Sequence, residues 1–343
     1  MAYTTIKKPS DYFNTKLYTG NGSNGNAITG VGFQPDWVWI KDRDGTEQHA
    51  LFDVVRGVYN ELNTNATQED QEKTDTLISF DSDGYSLNDR ALVNGSGVSY
   101  ASWNWLASNT TASNTDGSIT STVSANTTSG FSIVSYTGTG ANATVGHSLG
   151  SVAKMIIVKR RDTTGRWQVY HNGLGATKYL FLDGTETEQT NSNRWNDTTP
   201  TSSVFSLGSS AEVNASGGTY IAYCFADVKG FSKFGSYTGN GNSDGTFVYT
   251  GFKPAFFLVK AIDSVQDWFI YDIKRDSYNV MQRRLRPAQT EAENTNVAYY
   301  MDFLSNGFKF KATNAGFNGS GVNYIYMAFA EEPLVGDNPA TAR

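Results

Sequence analysis

The chain is predicted to be all-β, built as three tandem β-sandwich modules of jelly-roll or lectin-like type, each of about 100 residues. Three observations carry this: the composition, short apolar runs of period two, and an internal repeat. Asn, Ser, Thr and Gly supply 132 of the 343 residues, and aromatics reach 13%. Short polar side chains compete with the helical backbone, whereas aromatic residues fit a pleated surface. Apolar runs of four to eight residues, bounded by Gly, Asn, Asp or Pro, read as strands.

The repeat is the most specific signal. Tyr18-Thr19-Gly20, Tyr136-Thr137-Gly138 and Tyr237-Thr238-Gly239 each open a Gly-rich turn. An apolar run ending in Lys41, Lys159 or Lys260 follows, always 23 residues after the tyrosine. Twelve residues later stand Asp53, His171 and Asp272. Each copy closes on Asn-x-Ser-Gly-x-x-Tyr, from Asn94, Asn214 and Asn318, and then a final apolar strand. A glycine free to take positive φ and an asparagine closing an Asx-turn account for that element.

The copies span 12–107, 130–229 and 230–333. Residues 1–11 read as an N-terminal arm and 334–343 as a C-terminal tail. The stretch 108–129, rich in Ser, Thr and Asn, reads as a solvated polar linker that sets the first copy apart. Copies 2 and 3 are joined by little more than Val228-Lys229-Gly230 and are expected to pack closely. Asp83-Gly84 and Asn306-Gly307 read as hairpin turns. Residues 66–73 read as a turn or short surface helix.

Net charge is −6, so the chain has no basic footprint for nucleic acid. No apolar stretch approaches a membrane span, and the N-terminus has no signal-peptide pattern. The lone cysteine, Cys224, lies in an apolar run and reads as a buried thiol. His49, His147 and His171 are the only histidines, and none is spaced as a metal-ligand pair; neither metal nor cofactor is expected. Gly-x-Ser-x-Gly and phosphate-loop patterns are missing. A shared general base at Asp53, His171 and Asp272 is untenable, because a carboxylate and an imidazole titrate about two units or more apart. An enzyme is therefore not expected.

Lys41, Lys159 and Lys260 read as strand-end lysines covering apolar surface and guarding an edge, with ligand contact as the alternative. Trp167 and Trp268 share one place, eight residues past the lysine, where copy 1 has His49. Trp195, in a polar run, is the tryptophan expected to be exposed. These six residues form the candidate surface or glycan contacts, since aromatic faces stack on sugars and anchor interfaces. Trp103 and Trp105 alternate on one strand and share a face.

The Tyr-Thr-Gly turns, the run Gly32-Phe33-Gln34-Pro35-Asp36-Trp37-Val38-Trp39-Ile40-Lys41, Gly173-Leu174-Gly175, and residues 214–226 together resemble repeat-module virion structural proteins of marine tailed bacteriophages, including cyanophages. The resemblance covers residues 2–333. It implies a non-enzymatic component of the particle surface, either a head decoration or knob or a tail-fibre-like protein. It also implies other virion proteins as partners, homo-oligomers, and host-surface glycan as a further ligand. It supplies no catalytic residues. Three copies suit a threefold or sixfold setting on a particle. A carbohydrate-binding adhesin is the alternative, and a capsule-degrading hydrolase a more distant one.

Overall fold

The computed structural model describes residues 4–335 and 339–340. It is almost entirely antiparallel β-structure, and the three copies of the sequence pattern build three sheets with one strand order. In copy 1 the order is Phe13–Thr19, Ser99–Trp105, Trp37–Asp42, Ala50–Asp53. Copy 2 repeats it with Phe131–Thr137, Thr219–Ala226, Ala153–Arg160 and Gln168–His171. Copy 3 does so with Ser232–Thr238, Asn323–Pro333, Phe252–Ala261 and Trp268–Asp272. A smaller sheet covers one face of each, made by Asn26–Thr29, Gly84–Leu87 and Leu77–Asp81 in copy 1. Its counterparts are Ala143–Gly146 with Val204–Leu207, and Phe247–Tyr249 with Gly307–Phe310 and Met301–Leu304.

Both faces of each main sheet are buried, which is why its strands read as almost unbroken apolar runs. Along Trp37–Asp42, Val38 and Ile40 face the small sheet and pack with Ile28, Tyr85 and Leu87. Trp37 and Trp39 face the other way, into a core shared by all three copies. Copy 2 behaves alike: Ile156 and Val158 point to its own sandwich, Met155 and Ile157 to the shared core. There Trp37 stacks on Tyr223 at 4.5 Å, Phe13 on Phe329 at 5.0 Å, and Phe225 lies 6.2 Å from Phe329. Three sandwiches thus close on one another around a common aromatic centre in a pseudo-threefold arrangement.

The repeated motifs lock each sandwich at one end. Asn94, Asn214 and Asn318 are fully buried. Each Oδ1 accepts the amide of Asn21, Thr139 or Asn240. Each Nδ2 donates to two carbonyls, Ser23 and Asn88, Ala141 and Gly208, or Asn242 and Ala312. The opening and closing tyrosines stack in parallel, Tyr18 on Tyr100, Tyr136 on Tyr220 and Tyr237 on Tyr324, at 5.0, 5.1 and 4.8 Å. Gly20, Gly138 and Gly239 are required because a Cβ would sit 2.3–2.4 Å from the facing carbonyl of Gly95, Ala215 or Gly319.

Several expectations need correction. Copy 1 does not sit apart, since its tryptophans help to build the shared core. Residues 108–129 are not a free linker. Ala112–Asn114 and Ser121–Asn126 extend the copy 2 sheet, with Val123 opposite Val134. Polar composition misled here because this segment pairs along an edge and exposes alternate residues. In copies 1 and 3 no further strand among the described residues pairs with the corresponding edge strands, which carry Lys16 and Lys233, charges that discourage such pairing. The N-terminal arm is anchored where it is described: Ile6 joins the core and Pro9–Asp11 forms a 3-10 turn. Residues 66–73 contain a short strand, Gln71–Glu72, rather than a helix. The tail is described only at 334–335 and 339–340; the rest of it, and residues 1–3, lie outside the described residues. The two hairpins form as expected.

Candidate functional site

None of the six candidate contact residues lies on the surface. Lys41, Lys159 and Lys260 are fully buried. Each ammonium caps strand-end carbonyls: Lys41 those of Asp42 and Gly45, Lys159 those of Arg160, Gly165 and Thr67, Lys260 those of Ala261 and Thr185. Thr67 belongs to copy 1 and Thr185 to copy 2, so two of these lysines stitch neighbouring copies. Burial pulls all three down to about 8, because a desolvated ammonium is costly. Trp167 and Trp268 are buried, and their indoles donate across the copy boundary to the carbonyls of Asn63 at 2.9 Å and Phe181 at 2.8 Å. Trp195 is buried as well, edge-on to Tyr170 inside the copy 2 sandwich. Its polar flanks form a short helix capped by the Asn191 side chain, which carries the indole inward.

The position shared by Asp53, His171 and Asp272 marks the seams between copies. At the seam of copies 1 and 2, Asp53 accepts from Arg56 Nε at 2.5 Å and from the Tyr223 hydroxyl at 2.8 Å. Arg56 continues to Asp70 at 2.8 Å, and Asp70 accepts from Arg161 of copy 2 at 2.6 Å. The seam of copies 3 and 1 repeats this chain. Asp272 accepts from Arg275 at 2.5 Å and the Trp103 indole at 3.0 Å, Arg275 reaches Glu293 at 3.2 Å, and Glu293 accepts from Arg43 at 2.7 Å. At the seam of copies 2 and 3 the same places hold His171, Leu174, Glu188 and Ile262. His171 Nδ1 accepts the Gly173 amide, so Nε2 carries the proton and donates to the Tyr326 carbonyl at 3.1 Å. Burial pushes this imidazole down to about 4, so it is neutral at pH 7. The backbone pairing survives the change: the amides of Asp70, Glu188 and Glu293 donate to the carbonyls of Arg161, Ile262 and Arg43.

The recurring polar residues are therefore seam and turn elements. A surface feature that the sequence reading missed lies on copy 3. Among the described residues, five of the seven exposed large apolar side chains fall between Phe247 and Val297, within copy 3. Two of them, Phe247 and Tyr249, project from one strand of its small sheet, 45% and 47% exposed. They flank the buried Val248, which matches Ile28 of copy 1 and Val145 of copy 2. In copy 1 the outward neighbours are Ala27 and Thr29; in copy 2 the same register holds Thr144 and Gly146, where Gly146 is buried beneath the Asn114 side chain. Comparing the copies at this register would have found the pair. The turn before it differs in length in each copy, so spacing from the tyrosine does not reveal the match.

Tyr249 borders an open depression of about 560 Å³ lined by Asp227, Lys229, Ser232, Lys233, Thr250 and two glycines. Lys233 donates to the Tyr249 carbonyl at 2.7 Å, and its ammonium lies 5.6 Å from the ring centre. Beyond Phe247, Lys309 pairs with Asp244 at 2.5 Å. Among the described residues, no group of three or more His, Cys, Asp or Glu side chains is placed to hold a metal ion. No helix is long and apolar enough to cross a membrane.

No curated protein and no solved structure matches the chain. A family model matches residues 8–333, running through all three copies as one unit; its description is a domain of unknown function, DUF7483, and the chain belongs to that family.

Proposed function

We propose that the chain is a non-enzymatic structural protein of a bacteriophage particle, displayed on the particle surface and assembling with other virion proteins. The observation that carries this reading is the closure of three copies around one aromatic core. A single chain so built offers three related sides to a threefold or sixfold setting. The strand registers also divide the body into two ends. Phe13, Trp105, Phe131, Phe225 and Phe329, with the connections between copies, lie at one end; the three sets of Gly-Asn-Ser turns lie at the other. One end suits anchoring and the other display. The virion resemblance of the sequence supports the same placement.

Immunogold labelling of purified particles with an antibody to this chain tests the reading. Gold over the head is expected for a decoration protein and gold on the tail for a fibre-like one. Particles without gold would refute the virion assignment. A second reading, a carbohydrate-binding adhesin, is favoured by one observation, the aromatic pair Phe247 and Tyr249 on copy 3.

A further inference from the structure

We infer that the outer face of the copy 3 small sheet is a glycan-binding site, with Phe247 and Tyr249 as stacking platforms and the Tyr249 depression as the polar subsite. The inference deepens the host-surface reading above and rests on it only for its biological setting. Residues two apart on a strand share a face and sit about 7 Å apart, so both rings project from the same side of the sheet. They stand on a hydrogen-bonded sheet rather than a loop, which fixes them before any ligand arrives. The fold does not need them, since the equivalent exposed positions of copy 1 hold Ala27 and Thr29.

The flanking chemistry selects the class of ligand. A protein interface of ordinary size takes about 800 Å² per partner with an apolar centre. Here the apolar part is two half-exposed rings, bordered at once by the Lys309–Asp244 pair, Lys233 and the Asp227 carboxylate, one oxygen of which accepts the Phe234 amide. Ring faces beside donors and acceptors match a sugar, whose axial hydrogens form an apolar face and whose hydroxyls point outward around it. The depression of about 560 Å³ lies within the range of ligand clefts. The ligand is therefore an oligosaccharide lying along the strand, with neighbouring rings over Phe247 and Tyr249 and a further unit at Lys233 and Asp227.

The test is a printed array of bacterial capsular and O-chain polysaccharides probed with the full chain and with the F247T/Y249T double variant. Threonine stands at equivalent places in copies 1 and 2, and an unchanged thermal midpoint verifies that the variant folds. Binding to at least one glycan class, weakened tenfold or more in the variant, is expected. If the variant does not fold, 3-fluorotyrosine-labelled wild-type protein titrated with the bound glycan provides the second readout, with a resonance assigned to Tyr249 shifting. An array without signal, or binding unaltered in the variant, overturns the proposal. So does loss of attachment to particles without any glycan effect, which would make the face a protein interface. Immunogold results do not bear on these outcomes, so the virion reading and this one fail separately.

Discussion

The seams of copies 1 and 2 and of copies 3 and 1 have a buried ion pair, while the seam of copies 2 and 3 has neutral His171 and Leu174 in its place and turns Glu188 to Lys178 of its own copy, although one backbone pattern builds all three. In the ionic seams Asp53 with Arg56, and Asp272 with Arg275, are buried charge pairs with side chains fully shielded from water. In the neutral seam aspartate becomes His171 and arginine becomes Leu174. The two changes occur together, which is what desolvation demands: losing one member alone strands a buried charge, whereas replacing both does not. Closure of the ring therefore depends on the shared aromatic core and the repeated amide-to-carbonyl bonds. The ion chains fix which surfaces meet.

The comparison breaks most sharply at Arg56. Arg56→Leu places the copy 2 residue at the copy 1 position while Asp53 keeps its charge. The loss is expected to be about 3–5 kcal/mol in urea unfolding, the scale for removing one partner of a buried pair. The double variant D53H/R56L imports the buried histidine–leucine pair of the neutral seam, leaves Asp70 paired with Arg161, and should recover more than half of that loss. If the double variant is no better than the single, the two seam types are not interchangeable and the coupling argument falls.

Acid provides the next test, directed at the neutral seam. His171 is held at about 4 against about 6.5 when unfolded, so between those values the unfolded chain binds more protons. Stability must then fall as pH drops from 6.5 to 4, by about 3 kcal/mol for this group alone. His171→Gln keeps a donor for the Tyr326 carbonyl and removes the titration. Its stability curve should lie flatter than that of the wild type across this range, and parallel curves would dismiss the imidazole as the cause. Asp36 titrates in the opposite sense. It is buried, accepts the amides of Ala107 and Asn109, and is raised to about 7, so it favours folding at the acid end. Comparison with the variant cancels that contribution.

The repeat, the strand-rich class and the hairpins were legible because they depend on local spacing, which is the same in every copy. The seams were not, because their partners are far apart in sequence: Asp53 meets Tyr223 and Asp272 meets Trp103, 170 and 169 residues away. Recurrence showed that Lys41, Lys159 and Lys260 matter without showing how. A lysine whose ammonium caps carbonyls of the adjoining copy cannot be told from an edge lysine until that copy is in place. Trp195 misled for a related reason, since its polar neighbours are the outer surface of a short capped helix that turns the ring inward. Phe247 and Tyr249 were hidden among many aromatics that do build the core; only the sheet register separates them.

The smallest effect is expected where the ionic seams meet water. Arg161 is 23% exposed at the end of the first chain, and copy 3 has Ile262 in its place. Arg161→Ile leaves the buried Asp53–Arg56 pair intact and removes the outer bond to Asp70, which still accepts from Arg56, together with a long 3.4 Å bond to the Ser135 hydroxyl. A loss of about 1 kcal/mol or less is expected, as for partly exposed ion pairs, shrinking further in 1 M salt as the interaction is screened. A loss as large as that of Arg56→Leu, or one indifferent to salt, would show the four groups acting as one unit. The seam would then be ionic throughout rather than a buried pair with a solvated end.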